Sequence, residues 1–241
     1  MRFKILACDY DGTIASLGAV SGATIESLEK VRNSGRKLIL VTGRELDELL
    51  QVFSRADLFE RVVAENGALI FRPHAQDEKV LAVTPPEEFV RELHRRGVFP
   101  ISTGRVIVAT KKPHETTVLK TIRDLGLELQ VIFNKDAVMV LPSGVNKATG
   151  LQAVLDDLGM LPTEVVGIGD AENDHAFLEL CGCSVAVANA VPRIKDRVDM
   201  ITHGSNGVGV RELIEKLIST DLADVEFQRR QDVPFGSRIK G

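Results

Sequence analysis

Short apolar runs alternate with segments of helical spacing in two parts of the chain, before residue 72 and after residue 146. Apolar runs of this length, bounded by Gly or polar residues, are typical of strands buried inside a parallel sheet. The strands predicted in these two parts are residues 3–8, 37–41, 62–64, 165–169, 184–187 and 198–201. The predicted helices are residues 21–34, 45–53, 147–158, 173–180 and 207–218. This alternation predicts the α/β class, with a Rossmann-like parallel sheet that carries helices on both faces.

The pattern changes between residues 73 and 143, where the order helix, strand, strand occurs twice. Tight turns join these strands, which predicts antiparallel pairing and a small α+β domain inserted into the larger one. The predicted helices are residues 87–96 and 114–125, and the predicted strands are 98–101, 105–110, 129–133 and 137–141. Just before them, Ala68–Phe71 and Val80–Val83 are predicted to pair as a hairpin.

These patterns divide the chain into three parts. Residues 1–72 and 144–218 form a predicted core, and residues 73–143 form a predicted α+β cap. Residues 219–241 lose the apolar periodicity and contain Pro234 and Gly236, so we expect a poorly ordered tail or a linker there.

Composition narrows the functional classes without selecting one. Of the 241 residues, 44% are hydrophobic and 27% are charged, and the formal net charge is -4, which is ordinary for a globular protein. Nucleic-acid binding usually requires a clustered basic face, so no nucleic-acid partner is expected. No apolar stretch approaches the roughly 20 residues that span a bilayer, so we expect no membrane association and a cytoplasmic location. The sequence leaves the oligomeric state undecided.

Polar side chains follow four strands of the predicted parallel sheet, at the point where each strand ends. These positions are Asp9 with Asp11, Thr42-Gly43-Arg44, Glu65-Asn66-Gly67, and Asp170 with Asn173 and Asp174. Lys147 begins the helix that returns to the core from the insert. One such residue would be explained by a turn. Four strand ends and a helix start at one sheet edge predict a site, because α/β sheets bind ligands beyond the carboxyl ends of their strands.

The charge of this edge indicates the kind of ligand. Its carboxylates are those of Asp9, Asp11, Asp170 and Asp174. Two like charges about 4 Å apart cost roughly 4 kcal/mol at an effective dielectric constant of 20. The cluster therefore requires a bound cation or a protonated member, and an all-oxygen ligand set suits Mg²⁺. Lys147, Thr42, Asn173 and the backbone amide near Gly43 would then bind a phosphate group.

The first two acids have separable roles in such a site. Asp9 would attack phosphorus and form an aspartyl-phosphate. Asp11 would protonate the leaving oxygen and later take a proton from the attacking water. Tyr10, between them on an alternating strand, is expected to point into the core. Arg44 is a candidate phosphate contact. The alternative is that Arg44 lies on the surface at the N-terminal end of the following helix.

Four motifs, in order, resemble those of the haloacid dehalogenase-like superfamily of phosphatases. They are Asp9-Tyr10-Asp11-Gly12-Thr13, Leu40-Val41-Thr42-Gly43-Arg44, Gly144-Val145-Asn146-Lys147 and Gly169-Asp170-Ala171-Glu172-Asn173-Asp174. The resemblance covers about residues 1–218 and is to the subgroup whose α/β cap is inserted after the third strand. It implies that Asp9 and Asp170 bind Mg²⁺ directly, that Asp11 does so through its backbone carbonyl, and that Asp174 lies beside the metal.

The resemblance implies hydrolysis of a small phosphorylated metabolite, since the short cap is similar to those of phosphoglycolate and sugar-phosphate phosphatases of the Cof-like type. Two alternatives stay open. The same site would serve a phosphotransferase or phosphomutase if a sugar hydroxyl replaced water. The chain would instead be a phosphate-responsive module if its tail led to a larger assembly. The sequence does not name the substrate.

Overall fold

The computed structural model describes residues 1–225, which contain two β-sheets. Their strands are β1 (Ile5–Cys8), β2 (Lys37–Val41), β3 (Arg61–Ala64), β4 (Leu69–Arg72), β5 (Asp77–Val80), β6 (Ser102–Thr103), β7 (Val108–Lys111), β8 (Leu129–Asn134), β9 (Ala137–Pro142), β10 (Val165–Gly169), β11 (Cys183–Ala186) and β12 (Met200–Ile201). The helices are α1 (Gly22–Asn33), α2 (Leu46–Val52), α3 (Glu87–Arg95), α4 (Glu115–Asp124), α5 (Lys147–Leu158), α6 (His175–Leu180), α7 (Pro192–Lys195) and α8 (Asn206–Thr220).

The large sheet has eight strands in the order β12-β11-β10-β1-β2-β3-β4-β5. The central strand β1 pairs in parallel with β10 and with β2, so Ile5 lies opposite both Val165 and Lys37. The strands from β12 to β3 are parallel, and β4 and β5 are added antiparallel at one edge. The predicted α/β fold with a Rossmann-like sheet is confirmed.

The second strand of the predicted hairpin lies three residues earlier than expected. β5 covers Asp77–Val80 rather than Val80–Val83, and it pairs with β4 from Asp77 opposite Arg72 to Val80 opposite Leu69. The strand is mostly charged and exposed because it closes the edge of the sheet, so no apolar alternation marks it. These residues belong to the large sheet although they follow position 73.

Two helices of the core, α1 and α5, begin at side-chain caps, and α5 carries Lys147 of the candidate site. The Ser21 hydroxyl accepts the backbone N–H of Thr24 and begins α1. The Asn146 side chain accepts the N–H groups of Ala148 and Thr149, and this begins α5 at Lys147. The cap at Asn146 therefore places the lysine at the first position of its helix, at the edge of the sheet. The short helix α7 was not predicted.

The small sheet is antiparallel, in the order β6-β7-β9-β8, and α3 and α4 pack on it. We call this unit, residues 87–142, the cap. Phe89 and Leu93 of α3 and Val118 of α4 pack on its strands in a separate hydrophobic cluster. The helix-strand-strand repeat is present, but the predicted strand 98–101 is wrong, since β6 is only Ser102–Thr103. Pro100 has no N–H to donate to a strand ladder.

The predicted tail begins too early. α8 continues to Thr220, and Asp221 follows with φ 52°. The Asp221 carboxylate accepts the backbone N–H of Arg2 and a hydrogen bond of 2.9 Å from Arg36, and Leu222 is fully buried. The expectation of low order is therefore wrong for residues 219–225, and its remainder, 226–241, lies outside the described residues. Within residues 1–225, no helix combines the length and apolar character that a membrane span requires.

Candidate active site

The site begins at the turn after β1. The backbone N–H of Asp9 donates to Ile168 O of β10, so the pairing of β1 continues up to the acid, whose side chain is buried. Gly12 follows with φ 88°, and a Cβ at this position would lie 2.3 Å from Asp170 Oδ2. Glycine is required here because the turn after β1 packs directly on the acid that follows β10. Tyr10 is fully buried, as predicted, and its hydroxyl donates to Gly18 O.

Lys147 joins two of the predicted acids. Its ammonium group donates to Asp9 Oδ1 at 2.5 Å and to Asp174 Oδ1 at 2.6 Å, and the side chain is 1% exposed. Burial alone would lower the pKa of Lys147, but the carboxylates of Asp174 and Asp9 outweigh burial and raise it. The lysine is therefore a fixed positive charge at the centre of the site.

Asp9, Asp170 and Asp174 form a buried acid cluster, with one carboxylate oxygen from each within 4.8 Å of the others. Burial is the largest cause that raises the pKa of Asp9, and the charge of Asp174 is the next largest. Together they outweigh the neighbouring lysine, which lowers it. Burial and Asp174 also raise the pKa of Asp170. Both shifts have the same cause, since one buried lysine does not offset three buried carboxylates.

The acid cluster fits a hard divalent cation. Asp174 Oδ2 accepts the N–H groups of Asp170 and Ala171 at 2.8 and 2.9 Å, which fixes its orientation. The oxygens of Asp170 lie 3.4 Å from the Thr13 hydroxyl and 3.5 Å from the Lys135 ammonium group, both long for hydrogen bonds. Asp170 is thus a buried carboxylate with weak partners, in a set of oxygen donors that Mg²⁺ prefers.

The side chain of Asp11 lies outside the acid cluster. Its oxygens accept hydrogen bonds from Arg44 Nε at 2.6 Å and Nη2 at 2.8 Å. Arg44 also contacts Glu48 and lies over the ring of Tyr10. The structure therefore pairs the predicted proton donor with the predicted phosphate contact. The buried Thr42 hydroxyl accepts the Arg44 N–H at 3.1 Å and lies at the end of β2.

Asn173 and Asn66 meet beside Gly43. Asn173 Nδ2 donates to Asn66 Oδ1 at 3.1 Å. Among the described residues, Asn66 Nδ2 and Asn173 Oδ1 are buried polar atoms without a hydrogen-bond partner. A Cβ on Gly43 would contact both side chains at 3.6 and 3.8 Å. Buried polar atoms without partners at a sheet edge are suited to hydrogen-bond a polar ligand.

Two cap residues at the site were not singled out from the sequence. Lys135, in the turn between β8 and β9, brings its ammonium group to 3.5 Å from Asp170 Oδ2. Met139 of β9 places its sulfur 3.5 Å from where a Cβ on Gly43 would lie. The sequence located the turn at Asn134-Lys135-Asp136, but nothing local shows that this turn docks over the core.

The model of the haloacid dehalogenase-like hydrolase family matches residues 6–97 and 101–214. The chain belongs to this family, so the predicted family and the prediction of a hydrolase are confirmed. A phosphoglycolate phosphatase of Methanothermobacter thermautotrophicus is 31% identical over 224 residues, covering 89% of this chain and 99% of that protein.

Solved structures share the fold at lower identity. A haloacid dehalogenase-like hydrolase from Bacteroides thetaiotaomicron has a TM-score of 0.76 at 20% identity, over 89% of this chain and 99% of that one. A sugar phosphatase of HAD subclass IIB has a TM-score of 0.72 at 19% identity, over 89% and 97% of the two chains.

Proposed function

We propose that this chain is a Mg²⁺-dependent phosphomonoesterase that hydrolyses a small phosphorylated metabolite through an aspartyl-phosphate on Asp9. The observation that carries the proposal is the buried acid cluster bound to Lys147, an arrangement suited to an anionic ligand only when a cation is present. The phosphoglycolate phosphatase of M. thermautotrophicus, similar over nearly its whole length, supports a substrate of that type.

The reaction balances with the groups that line the site. An oxygen of Asp9 attacks phosphorus, and the bond between phosphorus and the ester oxygen breaks. Asp11 gives a proton to the leaving oxygen, and the alcohol departs. Water then attacks the aspartyl-phosphate while Asp11 takes its proton, and Asp9 leaves with its electron pair as phosphate forms. Lys147 and Thr42 orient the phosphoryl oxygens and offset their charge.

The acid cluster would hold the magnesium ion, with the Asp11 carbonyl as a further ligand. When bound, the ion would offset the negative charge of the carboxylates and of the phosphoryl group. Gly43, Asn173 and Arg44 would contribute donors around the phosphate. Because Arg44 holds both oxygens of Asp11, this proposal requires the Asp11 carboxyl to turn toward the leaving group during turnover.

Lys135 favours a substrate with a second negative charge over a neutral sugar. Its side chain is 61% exposed and lies at the border between the cap and the acid cluster. With the acids offset by a cation, its ammonium group would be available to a carboxylate on the substrate, as in 2-phosphoglycolate.

The direct test compares Asp9→Asn with Asp57→Asn, a change of the same chemistry at an exposed position. Turnover of p-nitrophenyl phosphate and of 2-phosphoglycolate in Mg²⁺ should fall by at least about 10³-fold in Asp9→Asn and stay unchanged in Asp57→Asn. Retained activity in Asp9→Asn would contradict the proposed role of Asp9 as the nucleophile. Transfer to an added sugar instead of phosphate release would indicate a phosphotransferase.

A further inference from the structure

A further buried acid, Glu65, lies in the turn after β3 and outside the acid cluster. Its side chain is 0% exposed, and its φ of 51° lies in the left-handed region that L-residues rarely adopt. Asn66 and Gly67 follow with φ 54° and 107°. Three successive residues in this region are held there by the surrounding contacts, and such turns concentrate at functional sites.

The partners of the Glu65 carboxylate come from the cap. Oε1 accepts the backbone N–H of Arg105 at 2.8 Å, and Oε2 accepts those of Val106 and Ile107 at 2.7 and 2.9 Å. Successive N–H groups that converge in this way form an anion-binding concavity. A Cβ on Gly104 would lie 2.4 Å from Oε1. Only glycine at position 104 therefore lets the cap backbone approach the carboxylate this closely.

Weaker contacts surround this buried one. The Arg105 side chain reaches Asp47 of α2 at 3.0 Å and Glu78 of β5 at 2.9 Å. These ion pairs are partly exposed and screened by solvent. Among these polar contacts, the buried carboxylate with its three N–H donors is therefore the strongest link between this part of the cap and the core. It acts beside an apolar contact, since Val106 and Ile107 are buried in one hydrophobic cluster with Ala68 of the core.

On the core side, the same turn contacts the phosphate site. The N–H of Glu65 donates to Arg44 O at 2.9 Å, and the N–H of Asn66 donates to Thr42 O at 2.9 Å. A Cβ on Gly67 would lie 1.9 Å from the backbone oxygen of Asn146, which precedes Lys147. The turn thus packs against two of the elements that carry the site.

On the cap side, the anchored segment leads into β7. This strand pairs with β9, where Ala109 lies opposite Met139, the residue that faces Gly43. β9 pairs in turn with β8, and the turn between them carries Lys135 to Asp170. The position of the segment before β7 therefore determines where Met139 and Lys135 lie over the site.

We propose that Glu65 is a positioning residue, which anchors the cap over the phosphate site by filling the backbone anion-binding turn of residues 104–107. The inference rests on the proposed function for its effect on turnover. Glu65 does not touch the reacting atoms in this arrangement. It acts on substrate affinity through the cap residues that it holds in place.

The test weakens the contact from each side. Glu65→Gln keeps the size of the side chain but replaces one acceptor oxygen with an NH₂ group, which faces N–H donors. Gly104→Ala leaves the core unchanged and places a methyl group against Oε1. Glu78→Gln is the matched control, since it removes an exposed partner of the same cap turn. Each variant is assayed with 2-phosphoglycolate and p-nitrophenyl phosphate, and backbone hydrogen exchange is measured at residues 105–107.

We expect KM for 2-phosphoglycolate to rise about tenfold in Glu65→Gln and in Gly104→Ala, with kcat for p-nitrophenyl phosphate changed less than about threefold. Exchange at residues 105–107 should accelerate, while the amides of β1 and β10 keep their protection. Glu78→Gln should resemble the wild type.

Wild-type KM with protected amides in the two variants would overturn the proposal, and so would loss of the cooperative fold in both, which would indicate a purely structural role. If the wild-type chain hydrolyses no phosphate ester, the proposed function fails, while hydrogen exchange still decides whether Glu65 anchors the cap.

Discussion

The acid cluster and Glu65 are both buried carboxylate sites at the same edge of the large sheet, and their charges are offset in opposite ways. The acid cluster has three carboxylates around one lysine, and burial raises the pKa of two of them. Glu65 is a single carboxylate with three backbone N–H donors and no need of a further charge. Both are buried, with Asp9 at 4% and Glu65 at 0% exposed, so burial does not distinguish them.

The difference lies in what each site leaves unsatisfied. A buried charge is tolerated when fixed donors surround it, and it then holds together the segments that supply those donors. A buried charge with too few donors needs a partner from outside the chain, such as a cation. Under the two proposals, the first arrangement would make Glu65 an anchor, and the second would make the acid cluster the binding site of a cation.

The largest effect expected from this comparison comes from Lys147→Met. The change removes the one buried positive charge of the acid cluster and leaves Asp9 and Asp174 without their donor. We expect the free energy of unfolding to fall by about 3–5 kcal/mol, together with loss of turnover. Urea denaturation without Mg²⁺ measures it, with Lys120→Met on the exposed side of α4 as the control. Stability within about 0.5 kcal/mol of the wild type would mean that the lysine does not compensate these acids.

Magnesium should raise the free energy of unfolding by binding to the acid cluster, and this increase should not depend on Glu65. At a concentration 100 times its dissociation constant, a cation that binds only the folded state adds about 2.7 kcal/mol to the free energy of unfolding. Thermal denaturation with and without MgCl₂ should show this shift in the wild type and in Glu65→Gln, and should not show it in Asp170→Asn. An equal shift in Asp170→Asn would place the cation elsewhere.

A smaller effect is expected at Lys135, the cap charge beside the acid cluster. Loss of one charge-assisted hydrogen bond in Lys135→Ala should raise KM for 2-phosphoglycolate about tenfold. KM for p-nitrophenyl phosphate should stay near the wild-type value, because its leaving group carries no carboxylate. Lys120→Ala, also in the cap but away from the site, controls for the net charge. Equal changes for the two substrates would argue against recognition of a second anion.

Residues near the strand ends could be placed from the sequence, whereas contacts between the cap and the core could not. Asp9, Asp170 and Lys147 were predictable because each directly follows a strand or begins a helix, and strand ends meet at one edge. Asp174 lies in the short turn between β10 and α6, so its place near Asp170 followed from the sequence as well. The roles of Glu65 and Lys135 were not predictable, since each depends on how the cap docks on the core. The pairing of Asp11 with Arg44 likewise joins two strand ends through side-chain orientation, which no spacing specifies. The strand predicted at 98–101 was wrong although the sequence shows Pro100, because the apolar run was given more weight than the N–H that proline lacks.

The smallest effect is expected at Asp221, a partly exposed acid whose charge is offset both by a backbone N–H group and by an arginine side chain. Partial burial raises the pKa of Asp221, but hydrogen bonds from the Arg2 N–H and Arg36 outweigh burial and hold it below its ordinary value. A lowered pKa means that this carboxylate stabilises the fold above its unfolded pKa of about 3.9, and that the contribution is lost as the pH falls through the folded value. Asp221→Asn should therefore lose about 1 kcal/mol at pH 7 and progressively less below pH 4, whereas Asp224→Asn should change little at either pH. Urea denaturation across this pH range measures both, and a loss that is independent of pH would show that Asp221 acts through packing instead of charge.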